Sequence, residues 1–188
     1  MSLDGFIAGP KDEVDRLFQW YFVGQTVRKV PTGNEDFDMG AEGAQAVEAA
    51  NRAMGVLVTG RRTFDVAHAW GGQHPMNVPI VVVTHRVPQE WVGRPGSPFT
   101  FVTDGVESAI ATARQIAGDK DIAVGAPTIA QQALRAGLID VINIDLIPVL
   151  LGEGIRLFDH LGSQKIELET AEVSVGTGVT HLLYRVIK

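Results

Sequence analysis

Apolar residues along the chain follow two spacings, and each spacing predicts one type of element. Short, nearly continuous apolar runs predict four buried strands: residues 55–59, 80–85, 98–103 and 121–126. Apolar residues three and four positions apart predict five helices: residues 12–23, 41–53, 61–69, 104–117 and 127–137. The two kinds of segment alternate through the middle of the chain.

Two of these helices carry end signals. Asp104 is placed to cap the first turn of the helix over residues 104–117, with Glu107 three residues later and Gly118 closing the end. Pro127 suits the first position of the next helix, and Gly137 follows its end.

The two ends of the chain have different patterns. Residues 1–10 predict the end of a strand followed by a turn at Asp4-Gly5, while the polar residues 24–40 predict a long loop. Residues 141–152 predict a strand that Pro148 interrupts. The last two strands, residues 165–175 and 179–187, flank a turn typical of a β-hairpin.

This order of elements predicts an α/β fold. Alternating strands and helices indicate a mostly parallel sheet with helices on both faces, and the closing hairpin indicates an antiparallel part. We expect a single domain over residues 1–188, since the sequence has neither an internal repeat nor a linker.

Composition narrows the function. The chain has no cysteine, which excludes disulfides and thiolate metal sites and fits a reducing, cytoplasmic location. No apolar run approaches a membrane span, and we expect no signal peptide. A net charge of −6 argues against nucleic acid or an anionic membrane as the partner.

Two basic turns stand out against this acidic background. The turn after the first buried strand is Thr59-Gly60-Arg61-Arg62-Thr63, and the next strand ends in Thr84-His85-Arg86. Backbone N–H groups, hydroxyls and guanidinium groups together favour a phosphate. The alternative is that both are ordinary solvated turns.

A third turn, Gly125-Ala126-Pro127-Thr128, has small residues against which a ligand can lie. Ligands of open α/β sheets bind beyond the carboxyl ends of the strands, where all three turns are expected. The histidines His68, His74 and His85 do not have metal-ligand spacing, so we expect no metal.

Several motifs occur in a familiar order: "SLDGFIAGP", "TGRRTFD", "VVVTHRVP", "GAPTIAQQALRAGLID" and "IPVLLGEGIRLFD". With this set, the chain resembles the dihydrofolate-reductase-like family that includes the reductase domain of riboflavin biosynthesis, in particular its stand-alone bacterial members. The resemblance covers nearly the whole chain. It implies a three-layer α/β/α sandwich around a mixed sheet, with NADPH as the cofactor.

The resemblance also implies roles for individual residues. Backbone near the end of the first strand would contact the nicotinamide, and the three turns would contact the phosphates. The implied cofactor-binding residues are Ile7, Ala8, Gly60, Arg61, Arg62, Thr63, Thr84, His85, Arg86, Gly125, Ala126, Pro127 and Thr128.

The resemblance implies a carboxylate on the first helix as proton donor, for which Asp12, Glu13 and Asp15 are candidates, and Asp4 is a candidate substrate contact. Of these we take Asp4 and Asp15 as the catalytic candidates; the alternative is that they are ordinary charges of a turn and of a helix start. Trp20, Tyr21 and Phe22 are candidate walls for a flat substrate, and the alternative is a role in the core.

Three features depart from the family pattern. Ala126 stands where relatives often have glycine in a pair that can take a cis bond, and Val141 stands where they commonly have glutamate. The first strand is expected to be short.

The expected function is NADPH-dependent reduction of a small heterocyclic or carbonyl substrate, pterin-like or pyrimidine-like, by hydride transfer. The alternative is a nucleotide-binding module with little turnover that acts as a sensor or partner protein. We also expect a homodimer, because the long C-terminal strands are of the kind that is paired or covered.

Overall fold

The computed structural model describes residues 1–22, 28–32, 35–39, 41–163 and 165–188. Within them the strands are β1 (Phe6–Ala8), β2 (Arg28–Thr32), β3 (Glu35–Met39), β4 (Met54–Gly60), β5 (Ile80–Val83), β6 (Phe99–Val102), β7 (Asp121–Val124), β8 (Val141–Leu146), β9 (Ile155–Arg156), β10 (Leu168–Gly176) and β11 (Val179–Val186). The α-helices are α1 (Asp15–Phe18), α2 (Ala41–Ala53), α3 (Arg61–Val66), α4 (Val106–Ala117) and α5 (Pro127–Arg135). None of the helices in these residues is both long and apolar enough to cross a membrane.

The centre of the fold is a four-stranded parallel sheet in the order β6-β5-β4-β7. Val56, Val58 and Val81 are fully buried on one face against α4 and α5. Ile80 and Val82 are fully buried on the other face against α3. Because side chains alternate across a strand, these apolar runs are covered on both sides, as the sequence predicts.

Three antiparallel strands form a separate sheet in the order β10-β11-β8. A tight turn joins β10 to β11, with Gly176 paired to Val179 and Gly178 at a φ of 76°. The predicted hairpin and its glycine-containing turn are therefore confirmed. β8 ends two residues before Pro148, which agrees with the predicted interruption.

Short strands appear where the sequence predicted none. Residues 24–40 were expected to form a loop, but β2 and β3 pair as an antiparallel ribbon from Arg28–Met39 to Thr32–Glu35. Pro31 fits this ribbon because a two-stranded sheet has only edge strands. Residues 24–27, 33, 34 and 40 of that segment lie outside the described residues, as does residue 23, the last of the helix predicted over 12–23.

The N-terminal prediction also needs correction. The first strand, β1, follows the Asp4-Gly5 turn rather than preceding it, and pairs with β9. Ser2, before the turn, makes only an isolated parallel bridge to Ile147.

Two helices are shorter than the apolar spacing predicts. Asp12 has a φ of 65°, outside the right-handed helical region, so α1 begins only at Asp15 and continues as a 3-10 turn over Gln19–Phe22. Similarly, α3 ends at Val66 because His68, Ala69 and Trp70 have positive φ angles.

For α4, the predicted N-terminal cap is wrong and the predicted C-terminal end is confirmed. Gly105, with a φ of 103°, is the residue before the helix, and no side chain caps it, so Asp104 lies outside the helix. Gly118 closes the helix at a φ of 60°, as predicted. Pro127 occupies the first turn of α5, also as predicted.

Candidate functional site

A cavity of roughly 1230 Å³ opens at the carboxyl edge of the parallel sheet. It is bounded by the end of β4, the end of β5 and the first turn of α5, with β1 and the segment over residues 12–21 on the other side. Small-molecule sites usually measure about 300–1,000 Å³, so this cavity has room for two ligands or one extended ligand.

Parallel pairing is what brings the three predicted turns to this edge. Gly60 at the end of β4 pairs with Val83 of β5, and Val58 pairs with Val124 of β7. The residues that follow these strands therefore emerge side by side.

All but one of the cofactor candidates line the cavity. The lining candidates are Ile7, Ala8, Gly60, Arg61, Arg62, Thr63, Thr84, His85, Arg86, Ala126, Pro127 and Thr128. Gly125 lies one residue outside the lining.

The two turn glycines serve protein packing. A Cβ on Gly60 would lie 3.2 Å from Ile129 Cγ1, and one on Gly125 would lie 3.2 Å from Leu57 Cδ1. Both contacts are tighter than a normal side-chain contact. The glycines thus let β4, β7 and α5 approach closely, which differs from the ligand approach expected from the sequence.

Ala126 makes the turn before α5 with an unusual backbone. Its φ is 106° and its ψ is 127°, a conformation that glycine adopts freely and alanine rarely. The bond between Gly125 and Ala126 is trans. The backbone at this turn is therefore strained, and it borders the cavity.

The guanidinium of Arg61 connects two of the turns. Its Nε donates to Asp65 Oδ1 at 2.7 Å, and its Nη1 donates to the carbonyl oxygen of Arg86 at 2.9 Å. Thr84 Oγ1 donates to the same carbonyl at 2.8 Å. Arg61 thus has a structural role, which is to fix the backbone around Arg86.

Arg62 is paired across the cavity mouth. Its Nε and Nη2 donate to the two carboxylate oxygens of Asp12 at 3.0 and 2.9 Å. The hydrogen bonds and charge of Asp12 raise the pKa of Arg62, which stays a cation. The same contact holds the segment before α1 against the start of α3.

Arg86 differs from the other two arginines. Its side chain is exposed and lines the cavity, and its guanidinium makes no hydrogen bond or ion pair with any described residue. Its backbone is fixed by Thr84 and Arg61. Of the three guanidinium groups, Arg86 is the one most available to an anion.

The two catalytic candidates do not lie in the cavity. Asp15 is exposed in the single turn of α1, and neither Asp15 nor Asp4 is part of the lining. Phe22 also lies outside it, 60% exposed, and so does Glu153 in the nearby glycine-rich loop. The structure therefore gives no support to Asp4 or Asp15 as proton donors.

Asp4 instead joins two loops. Its carboxylate accepts hydrogen bonds from Ser2 Oγ at 2.6 Å and from the backbone N–H groups of Leu151 and Gly152 at 3.1 and 2.8 Å. The bond from Ser2 and those from the two N–H groups lower the pKa of Asp4 to about 2. Nearby, a Cβ on Gly154 would lie 2.1 Å from the carbonyl oxygen of Ala8, so only glycine fits beside β1.

Part of the cavity lining is apolar and aromatic. Trp20 and Tyr21 contribute to it with ring centroids 4.1 Å apart, together with Leu17 and Phe18. Trp20 is 5% exposed and also packs in the core with Leu17. Burial, followed by the charge of Asp145, raises the pKa of Tyr21, so its phenol stays neutral. The predictions for Trp20 and Tyr21 therefore agree with the cavity lining, whereas the prediction for Phe22 does not.

One polar pair beside these rings was not predicted from the sequence. Asp145 of β8 lines the cavity, and its Oδ1 lies 2.7 Å from Nδ1 of His181 on β11. Both strands carry other polar residues as well, so the sequence offers no signal that singles out this pair. Across the described residues, no group of His, Asp and Glu is arranged to hold a metal ion.

Comparison with known proteins identifies the family. A sequence model described as the RibD C-terminal domain matches residues 1–182. The chain belongs to the RibD C-terminal domain family. No curated protein matches the chain in sequence.

Solved structures with the RibD C-terminal fold agree. A putative riboflavin biosynthesis protein from Shewanella sp. PV-4 matches with a TM-score of 0.75 at 23% identity, covering 100% of this chain and 96% of its own. RibD of Acinetobacter baumannii matches with a TM-score of 0.61 at 16% identity, covering 99% of this chain. A diaminohydroxyphosphoribosylaminopyrimidine deaminase/5-amino-6-(5-phosphoribosylamino)uracil reductase from Thermotoga maritima matches with a TM-score of 0.60 at 13% identity, also covering 99% of this chain.

The present chain spans 55% and 54% of the last two proteins. At these identities the likeness establishes the fold, which is the mixed α/β fold expected from the sequence.

The strain at Ala126 predicts that Ala126→Gly stabilises the protein relative to a matched control. Positive φ at a non-glycine residue costs roughly 1–3 kcal/mol, whereas glycine within a helix costs about 0.5–1 kcal/mol. We therefore expect the free energy of unfolding of Ala126→Gly to be about 1–3 kcal/mol higher than that of Ala130→Gly, a substitution within α5. Urea denaturation measures both; equal values would contradict the strain.

The contacts of Asp4 predict a stability that depends on pH. The folded-state pKa of about 2 lies below the ordinary value of 3.8, so the contribution of Asp4 is complete above pH 3.8 and is lost as the pH falls toward 2. We expect Asp4→Asn to lower the melting temperature at neutral pH, with the difference from the native protein shrinking over that range. A difference independent of pH would contradict the assignment. Asp159→Asn, at an exposed aspartate, is the control.

Proposed function

We propose that this protein is an NADPH-dependent reductase of a small heterocyclic or carbonyl substrate, pterin-like or pyrimidine-like. One observation carries the proposal: the two cationic turns and the aromatic rings of Trp20 and Tyr21 line the same cavity. A phosphate-bearing cofactor suits the cationic turns, and a flat substrate suits the rings. The RibD C-terminal domain is the reductase domain of a riboflavin-pathway enzyme, which supports the same assignment.

The residues present fit this cofactor. The overall charge of −6 opposes anion binding, so a local set of cations has to supply the attraction. Arg86 offers an unengaged guanidinium, and the N-terminus of the nine-residue helix α5 adds backbone N–H groups beside Thr128. Hydroxyls of Thr63 and Thr84 border the same region.

Each residue has a distinct part in this proposal. Arg86 binds the additional phosphate of NADPH, while Arg61 holds the turn that carries Arg86. Ile7 and Ala8 of β1 border the reacting region, and Trp20 and Tyr21 exclude water from it. When bound, the cofactor supplies the hydride from its nicotinamide ring.

A nucleotide-binding module with little turnover remains the second candidate, and one observation favours it. Neither Asp4 nor Asp15 reaches the cavity, so the carboxylates expected to donate a proton are not in place. An assay of NADPH oxidation with a panel of pterins, pyrimidines and quinones distinguishes the reductase from the binding module. The absorbance of the nicotinamide ring measures the oxidation. Turnover with one of them supports the reductase, and NADPH binding without any turnover supports the module.

The cofactor assignment predicts a preference that depends on Arg86. A charge-assisted hydrogen bond is worth roughly 1.5–3 kcal/mol, so native protein should bind NADPH about tenfold to a hundredfold more tightly than NADH. Arg86→Ala should remove that preference by weakening NADPH alone. Fluorescence titration of both cofactors measures it.

Two further variants serve as controls for this titration. Arg94→Ala removes an arginine stacked 4.4 Å from the Trp91 ring, away from the cavity, and should leave both affinities unchanged. Arg61→Ala should weaken NADPH more than NADH, because it releases the backbone that carries Arg86. Equal affinity of the native protein for NADPH and NADH would contradict the proposal.

The proposal includes a homodimer formed through β10. This nine-residue strand is at the edge of its sheet, and its neighbouring valines Val173 and Val175 are 55% and 73% exposed. Exposed edges of this kind are normally covered.

We therefore expect light scattering to give the mass of two chains. Val175→Lys should shift the mass toward one chain, whereas Val92→Lys, at an exposed valine between β5 and β6, should not. A native mass of one chain would contradict the dimer.

A further inference from the structure

The carboxylate of Asp145 is placed unlike any other acidic group of the cavity. The other acidic side chain in the lining, Asp12, is occupied by both donors of Arg62. Asp145 shares the cavity lining with Trp20 and Tyr21, and its side chain is 37% exposed. It is therefore the acidic group that a ligand against those rings would meet.

Strand register fixes the partner of Asp145. Asp145 on β8 is directly opposite His181 on β11 in the antiparallel pair, which places Nδ1 of His181 2.7 Å from Oδ1 of Asp145. An ionised carboxylate only accepts hydrogen bonds, so Nδ1 of the ring is the donor. The second oxygen, Oδ2, receives no hydrogen bond from the described residues.

The imidazole itself is enclosed. The His181 side chain is 9% exposed, its ring makes an edge contact with Trp20 at 5.4 Å between centroids, and its Nε2 is buried without a hydrogen-bond partner among the described residues. The ring is therefore held in place by Asp145 on one side and by Trp20 on another.

One other charged group lies beside this pair. The α-amine of Met1 donates to the carbonyl oxygen of Asp145 at 2.6 Å. Burial, opposed by the charge of Asp145, lowers the pKa of that amine. The amine contacts the backbone carbonyl of Asp145, so Oδ2 of its carboxylate receives no hydrogen bond from the amine.

We propose that Asp145 binds the substrate directly, as the acceptor for the N–H edge of a planar heterocycle held against Trp20 and Tyr21, and that His181 is its positioning residue. The substrate class is a flat ring with an amidine-like pair of N–H donors. A carboxylate accepts such a pair through two parallel hydrogen bonds, and the aromatic wall selects for planarity. This inference rests on the proposed function and specifies its substrate end.

Benzamidine tests the proposal, because it carries the N–H pair on a flat ring, while benzamide has the same shape without the charge. Calorimetric titration is done on the full chain, with and without NADPH. Native protein should bind benzamidine more tightly than benzamide. Asp145→Asn should weaken benzamidine binding about tenfold to a hundredfold and leave benzamide binding nearly unchanged.

The matched control is Asp140→Asn, which removes a surface carboxylate paired with Lys188 near the start of β8. It should bind benzamidine as native protein does. The amide of Asp145→Asn keeps an oxygen that can accept from His181, so the fold should be retained, and the melting temperature checks this.

The role of His181 is tested by rescue. His181→Asn keeps an N–H near the position of Nδ1 and should bind benzamidine nearly as well as native protein, whereas His181→Leu should bind it as weakly as Asp145→Asn. A merely structural histidine would not distinguish these two variants when their melting temperatures are equal. If His181→Leu does not fold, benzamidine binding by Asp145→Asn and His181→Asn decides whether the two residues have the proposed roles.

The outcomes separate this inference from the proposed function. Loss of benzamidine binding in Asp145→Asn, with NADPH affinity unchanged, supports it. Benzamidine binding that is absent from native protein, or equal in Asp145→Asn and Asp140→Asn, overturns it. Failure of native protein to bind NADPH would contradict the proposed function, yet it would leave the benzamidine comparison decisive for Asp145.

Discussion

The parallel pairing of β4 with β5 and β7 is the constraint on which the rest of the structure depends. Three strands running in one direction bring three separate turns to a single edge, although those turns are up to 65 positions apart in the sequence. Glycine at positions 60 and 125 suits the close approach of β4, β7 and α5, because a Cβ at either position would lie 3.2 Å from a side-chain atom of Ile129 or Leu57. A side chain at either position would require that neighbour to shift by a few tenths of an ångström.

Charge at this edge is largely balanced within the protein. Arg61 is held by Asp65 and Arg62 by Asp12, so two of the three guanidinium groups already have anionic partners. Exposed ion pairs of this kind contribute little to stability, about 0–1 kcal/mol each, so their effect is mainly to orient side chains and loops. An acidic protein can thereby keep three arginines together while leaving only Arg86 strongly attractive to an anion.

The sequence predicted the parallel centre of the fold well, because that part depends on local signals. Runs such as Val81–Val83 are apolar on both faces, and Pro127 and Gly118 mark helix ends whatever surrounds them. The positions of the three turns, two with cationic residues and one with small residues, could be predicted because each turn follows a predicted strand. Where backbone conformation departs from the common regions, the prediction failed: Asp12 and His68 have positive φ and shorten two helices.

Residues whose role depends on distant partners could not be predicted in the same way. Asp4 resembled an ordinary turn residue or a substrate contact, and only the tertiary structure brings Leu151 and Gly152 to its carboxylate. Asp145 and His181 are 36 positions apart, and their contact depends on the register of β8 and β11. A one-residue change in that register would turn one of the two side chains to the other face of the sheet.

The arrangement of charge along the cavity also restricts the orientation of any ligand. Arg86 follows β5 of the parallel sheet and Asp145 lies on β8 of the antiparallel sheet, and both line the cavity. A ligand bound in the reverse direction would place its anionic part against a carboxylate and leave Arg86 unpaired, and like-charge contacts of this kind oppose binding. Under the proposed function, the two residues that attract opposite groups of a ligand would therefore also exclude its inverted binding mode.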